Sequence, residues 1–133
     1  MTSITGTAVQ DKAVIELKHL YKSFGSNHVL RDFNLDLRKG ENVVVLGKSG
    51  SGKSVLIKCI IGLIRPDSGT ISVLDANVPE LSHDDLDDIR VKVGFLFQSN
   101  ALYDSMTVRE NLQFPLRRHS IQMTKEQEQE MVL

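Results

Sequence analysis

The alternation of apolar and polar positions sorts the chain into a short series of elements. Between residues 13 and 21, Val14, Ile15, Leu17 and Leu20 stand beside the charged Glu16 and Lys18, which predicts a strand. Phe24-Gly25-Ser26-Asn27 has the composition of a turn. From 29 to 37, Phe33, Leu35 and Leu37 alternate with Asp32, Asn34 and Asp36. That period of two predicts a half-buried antiparallel strand. Lys39-Gly40 then turns the chain into Asn42-Val43-Val44-Val45-Leu46, an almost wholly apolar run of the kind a buried parallel strand shows. Residues 54–64 carry Val55, Leu56, Ile57, Cys59, Ile60, Ile61 and Leu63, which predicts a helix buried on most sides.

Further along, Arg65-Pro66-Asp67-Ser68-Gly69 predicts a turn and residues 70–74 a short strand. Leu81-Ser82-His83-Asp84-Asp85-Leu86 has a helix-start pattern, with Ser82 as N-cap, Asp85 at the third helical position, and Leu81 and Leu86 spaced as a hydrophobic staple. Residues 91–97 predict a strand that ends at Gln98. Thr107-Val108-Arg109-Glu110 has the spacing of a capping box and opens a helix expected to run toward Phe114 and stop at Pro115. Thr124-Lys125-Glu126-Gln127 opens another in the same way. Residues 1–12 read as a flexible lead-in.

The stretch that carries chemistry lies between the apolar run and the buried helix. Gly47-Lys48-Ser49-Gly50-Ser51-Gly52-Lys53-Ser54 matches the phosphate-binding pattern G-x-x-x-x-G-K-[ST], in the strand–turn–helix context that the pattern requires. Gly47, Gly50 and Gly52 let the backbone approach a polyphosphate without a Cβ in the way. Successive N–H groups then form an anion nest at a helix N-terminus. Lys53 is placed to reach the β- and γ-phosphates, Ser54 to ligate Mg²⁺, and Ser49 and Ser51 to add hydroxyl donors. The competing reading, a glycine-serine turn with an incidental lysine, explains the composition but not the context.

Composition narrows the rest. The chain of 133 residues has 41% hydrophobic and 25% charged residues, the balance of one globular domain. A formal net charge of -1 supplies no global basic field, so no nucleic-acid partner is expected. Cys59, the single cysteine, reads as a small buried side chain. The four histidines lack metal-ligand spacing. The acidic group Asp84, Asp85, Asp87 and Asp88 reads as a solvated first helical turn rather than a metal site. No signal-peptide pattern opens the chain, and Lys58 interrupts its longest apolar stretch, so a cytoplasmic location is expected.

In order and spacing, these features resemble the nucleotide-binding subunit of ABC transporters, over essentially the whole chain after residue 12. The phosphate loop is similar to that family's Walker A motif. Lys22-Ser23-Phe24-Gly25 resembles its aromatic A-loop, which implies that Phe24 stacks on adenine, with Tyr21 the weaker candidate. Leu96-Phe97-Gln98 resembles the Q-loop, which implies that Gln98 ligates Mg²⁺ or orients the attacking water and senses the γ-phosphate. The segment from Phe97 to Leu112, continued by Phe114-Pro115-Leu116, is similar to the Mla/Mce-type ATPases that power lipid transport across bacterial envelopes. Val55 departs from the family where a threonine often follows the Walker serine, and Lys48 where proline is frequent.

The resemblance implies an α/β P-loop NTPase core with an antiparallel β-subdomain, truncated before the helical subdomain is complete. Residues 13–133 would form a partial ATP-binding domain, since the signature motif, the Walker B strand and the switch histidine do not occur. It implies ATP and Mg²⁺ as cofactors, with catalytic roles for Lys53 and Gln98. The nucleotide would be held by Phe24, Gly47, Ser49, Gly50, Ser51, Gly52, Lys53, Ser54 and Val55, and the metal by Ser54 and Gln98. Expected partners are a second ATP-binding subunit in a head-to-tail dimer, a transmembrane permease and an Mce-type lipid-binding protein, with the chain peripheral on the inner face of the membrane. The parent would be an ATPase, with this chain alone expected to bind nucleotide weakly and hydrolyse it negligibly. A non-transport ABC-type ATPase acting in translation or DNA maintenance is the alternative. A kinase or switch GTPase fits less well, because no Asn-Lys-x-Asp base reader is present.

Overall fold

The computed structural model describes residues 12–96, 102–118, 127 and 130. The chain divides into two units, residues 1–93 and residues 94–133.

In the first unit the predicted strand-turn-strand becomes a long hairpin. Strand β1 (Ala13–Phe24) and strand β2 (Asn27–Arg38) pair antiparallel across the Gly25-Ser26 turn, with Leu17 opposite Leu35 and Leu20 opposite Phe33. Strand β3 (Ser68–Val73) pairs with the other edge of β1, and β4 (Ala76–Asn77) completes a four-stranded antiparallel sheet in the order β2-β1-β3-β4. Leu17, Leu20, Leu30, Ile71 and Val73 line its buried face. Helix α1 (Lys53–Ile60) and helix α2 (His83–Lys92) supply Leu56, Cys59 and Ile89 to the same cluster. Apolar side chains alternate along β2 and β3, and a register shift in β1 places Leu17 and Leu20, three apart, in the same cluster. Leu56 and Cys59 recur at helical spacing on α1. One buried cluster therefore satisfies both periods.

Helix α1 ends four residues before the apolar pattern does. Gly62 takes φ +70°, and the Leu63 N–H bonds the Lys58 carbonyl at 2.8 Å while the Gly62 N–H bonds that of Cys59 at 3.1 Å. This is the two-bond Schellman closure, and a left-handed glycine makes it available. Only Leu56 and Cys59 are fully buried on α1, whereas Ile57 is 42% exposed, so the helix is less enclosed than its composition suggests.

Two predicted strands do not form. Residues 42–46 have no regular structure, and Val44 and Leu46 are 78% and 80% exposed. Residues 91 and 92 close α2, and residues 93–96 are irregular. A strand exists only where a neighbour supplies ladder hydrogen bonds. Both segments have strand-like composition, but among the described residues neither is laid beside another strand.

Helix α2 starts as its sequence dictates. The Asp85 N–H donates to Ser82 Oγ at 3.2 Å, and Ser82 Oγ–H donates to Asp85 Oδ2 at 2.6 Å. Asp84 and Asp85 lie in that first turn, while Asp87 pairs with Arg90 at 3.0 Å.

In the second unit, helix α3 (Val108–Arg118) opens with the predicted box. Thr107 N–H donates to Glu110 Oε2 at 2.7 Å and Glu110 N–H to Thr107 Oγ1 at 3.2 Å. Pro115 lies inside α3 instead of ending it. A proline removes one hydrogen bond and strains the preceding turn, yet residues after it can continue helical if the turn before it is held. Here Asn111 holds that turn. It accepts from the Tyr103 N–H at 2.8 Å and donates to the carbonyls of Tyr103 and Thr107 at 3.0 Å each. The Tyr103 and Phe114 rings, 5.1 Å apart between centroids, add a second tie.

Candidate functional site

Gly52 sets the geometry of the phosphate loop. It is the N-cap of α1 with φ 97° and ψ 5°, and no side chain caps the helix there. A Cβ at this position would meet Val29 Cγ1 at 2.6 Å and the Val29 carbonyl oxygen at 3.0 Å. Only glycine can take this left-handed turn while pressed against β2. The first helical bond, Leu56 N–H to the Gly52 carbonyl, measures 2.8 Å.

The N–H groups of Lys53, Ser54 and Val55 precede that bond and have no acceptor among the described residues. No acidic side chain lies in the first turn either. A helix start with free donors and no carboxylate is an anion-seeking site. The donor set therefore fits a nucleotide polyphosphate.

Lys53 folds back across the loop. Its Nζ donates to the carbonyls of Gly47 and Lys48, the latter at 2.8 Å, and lies 3.5 Å from Ser51 Oγ. The Ser51 N–H closes the turn onto the Lys48 carbonyl at 3.1 Å. Ser49, Gly50, Ser51 and Ser54 are exposed along this loop. Val55 is half-buried and packs on the core cluster, so what it offers a ligand is its backbone N–H. Beside the loop lies a groove of about 530 Å³, lined by Ser51, Gly52 and Lys53 together with His28, Val29 and Asp32 of β2.

Phe24 closes β1 and is 50% exposed. Lys22 Nζ stands over its ring, 5.2 Å from the centroid, and bonds Asp67 Oδ1 at 2.9 Å. Asp67 Oδ2 accepts from the Ser23 N–H at 2.6 Å. The ammonium of Lys22, and after it the Ser23 amide, hold the Asp67 carboxyl below the usual carboxylate range. Ser23 Oγ and His28 Nδ1, opposite each other across the hairpin, are 2.8 Å apart.

The pattern of residues singled out Phe24 and the loop but not Lys22, Asp67 or His28. An i, i+2 lysine on the face of a strand aromatic was a readable hint. The tie to Asp67 spans chain between two strands and only the folded sheet creates it. Gln98 lies outside the described residues.

The profile of the ABC transporter family matches residues 30–133. The chain belongs to the ABC transporter family. Among curated ABC relatives, it is 46% identical over 117 residues to the probable ribonucleotide transport ATP-binding protein mkl of Mycobacterium leprae, covering 88% of this chain and 33% of that protein. It is 40% identical over 119 residues to protein TRIGALACTOSYLDIACYLGLYCEROL 3, chloroplastic, of Arabidopsis thaliana, covering 90% of this chain and 34% of that one. Its fold is that of an ABC cassette. The dimeric post-hydrolysis structure of the ATP-binding cassette MJ0796, bound to ADP and Pi, superposes with a TM-score of 0.79 at 31% identity, over 89% of this chain and 53% of that one. The chain thus spans about a third of the length of the curated relatives it matches. Among the described residues, no helix is long and apolar enough to cross a membrane.

Proposed function

We propose that this chain is the part of an ABC transporter's ATP-binding subunit that binds the nucleotide, and that its parent couples ATP hydrolysis to transport. The observation that carries the reading is the start of α1, where a left-handed Gly52 leaves three successive N–H groups without an acceptor among the described residues, beside the Lys53 ammonium. In this reading Lys53 leaves the carbonyls of Gly47 and Lys48 when a phosphate arrives and neutralises charge on the transferring group. The amides of residues 53–55 and the hydroxyls of Ser49 and Ser51 hold the polyphosphate in place. Catalysis in such a site is mainly positioning and electrostatic stabilisation. Ser54 would offer its hydroxyl to Mg²⁺, which would supply neutralisation of phosphate charge. Phe24 would stack on the base.

A second ATP-binding subunit in a head-to-tail dimer and a membrane-spanning permease, which keeps the chain at the inner membrane face, complete the proposal. The dimeric ABC cassette that shares this fold supports the first partner, and the transport proteins among the relatives support the second. The cargo we assign is a lipid, with an Mce-type lipid-binding protein as further partner. The Arabidopsis relative, named for a trigalactosyl diacylglycerol, supports this. The mycobacterial relatives, named for ribonucleotide transport, favour a second reading in which the cargo is a ribonucleotide.

The nucleotide reading is tested by calorimetric titration of the intact protein with magnesium-ATP. Binding that Lys53→Ala weakens at least tenfold supports it, and absence of uptake by the unsubstituted protein overturns it. Reconstitution with its permease separates the cargoes. ATPase stimulation by phospholipid but not by ribonucleotide supports the lipid assignment, and the reverse refutes it.

A further inference from the structure

The phosphate loop can grip only the charged end of a nucleotide, so the other end needs an apolar or aromatic face. Phe24 offers one, but at the last position of β1, next to a turn, with its side chain half exposed and outside the core cluster. A ring in that position has no core packing to orient it. What it has is Lys22.

Lys22 and Phe24 are two residues apart at the end of β1, and the ring contact shows that their side chains share one side. The Lys22 ammonium covers one face of the ring, 5.2 Å from its centroid. It is held there, because its side chain is only 15% exposed and Asp67 Oδ1 accepts from it at 2.9 Å. Asp67 is itself fixed to β1 by its backbone as well as its side chain. Its N–H donates to the Tyr21 carbonyl at 2.9 Å, and its second carboxylate oxygen accepts from the Ser23 N–H at 2.6 Å.

We infer that Asp67, Lys22 and Phe24 form a base-stacking platform, in which Lys22 is a positioning residue that occupies one ring face and leaves the other to a purine. The inference rests on the reading of Phe24 as the residue that meets the base. The cation does two things. It removes ring rotation that stacking would otherwise have to freeze. It also draws π density toward its own side, leaving the opposite face less negative and a better partner for an electron-rich purine. Asp67 supplies the negative charge that keeps the ammonium in place.

The test separates base from phosphate. The intact protein is titrated with magnesium-ATP and, in parallel, with magnesium tripolyphosphate, which has no base. Lys22→Met, which keeps the length and removes the charge, is expected to weaken ATP about three- to tenfold, the size of a cation–π contact, and to leave tripolyphosphate unchanged. Lys22→Arg, which keeps the cation over the ring, is expected to retain ATP affinity. If Lys22→Met fails to fold by circular dichroism, Asp67→Asn is used and the same selective loss is expected.

Unchanged ATP affinity overturns the platform. Equal weakening of both ligands also overturns it, because that is the signature of a general structural role. Phe24→Ala that leaves ATP binding intact overturns the base-stacking reading and the platform with it. Lys53→Ala that leaves both ligands bound overturns the phosphate-loop reading instead.

Discussion

Arg90 of α2 donates from Nε to the Ile61 carbonyl oxygen at 3.1 Å, and its Nη2 reaches the next carbonyl, that of Gly62, at 3.2 Å. One guanidinium thus caps the chain where it leaves the helix that Gly52 opens. The fork matches the two carbonyls, and the charge meets the negative end of α1. Asp87, at 3.0 Å from Nη1, completes its surroundings.

Arg90→Met should therefore leave two partly buried carbonyls without a donor. A destabilisation of about 1–3 kcal/mol is expected, read as a lowered midpoint in urea unfolding with an unchanged slope. Asp87→Ala, which removes only an exposed partner, should cost less than about 1 kcal/mol.

Gly52→Ala should disable the site and strain the fold together. The new Cβ meets Val29 side chain and backbone, and φ 97° is costly for any L side chain. The left-handed backbone and the overpacking together should cost about 2–5 kcal/mol. Loss of magnesium-ATP binding alongside a fall in thermal midpoint would bear this out, and a variant as stable as the parent would contradict it.

Asp67 gives the fold a predictable acid dependence. Its carboxyl titrates below the ordinary carboxylate range because the Lys22 ammonium and the Ser23 amide favour the charged form. The folded state thus binds the proton less readily than the unfolded chain. The resulting stability is fully present above the unfolded value of about 3.9 and is lost as pH falls through the lower folded value. Asp67→Asn should be less stable than the parent at pH 6, and the difference should shrink below about pH 4.

Cys59 should be chemically quiet in the folded chain. It is fully buried on α1, and burial pushes its thiol up from the usual value. Alkylation by iodoacetamide at pH 7.5 is expected to be slow in buffer and rapid in denaturant. Fast labelling of the native protein would show that α1 opens locally.

Where neighbouring residues along the chain settle a structure, the pattern was readable. The Gly25-Ser26 hairpin, the alternation of β2, and the boxes at Ser82 and Thr107 all depend on groups within a few positions of one another. The end of α1 was harder, because the apolar pattern ran past it to Ile64 and only Gly62 marked the stop. Pro115 misled in the opposite direction, since the ties made by Asn111 and Phe114 were not visible in the run of residues.

The order of residues alone made the family, the glycine turn that opens α1 and the alternation of β2 legible, because each rests on local spacing and local backbone freedom. Tertiary structure decided which apolar runs become strands and which side chains surround Phe24. Residues 42–46 have the composition of a strand, but ladder hydrogen bonds come from a neighbour, and none stands beside them among the described residues. Lys22 meets Asp67 only because β3 adds to the free edge of β1. Contacts of that kind belong to pairs of segments, and no single stretch of sequence contains them.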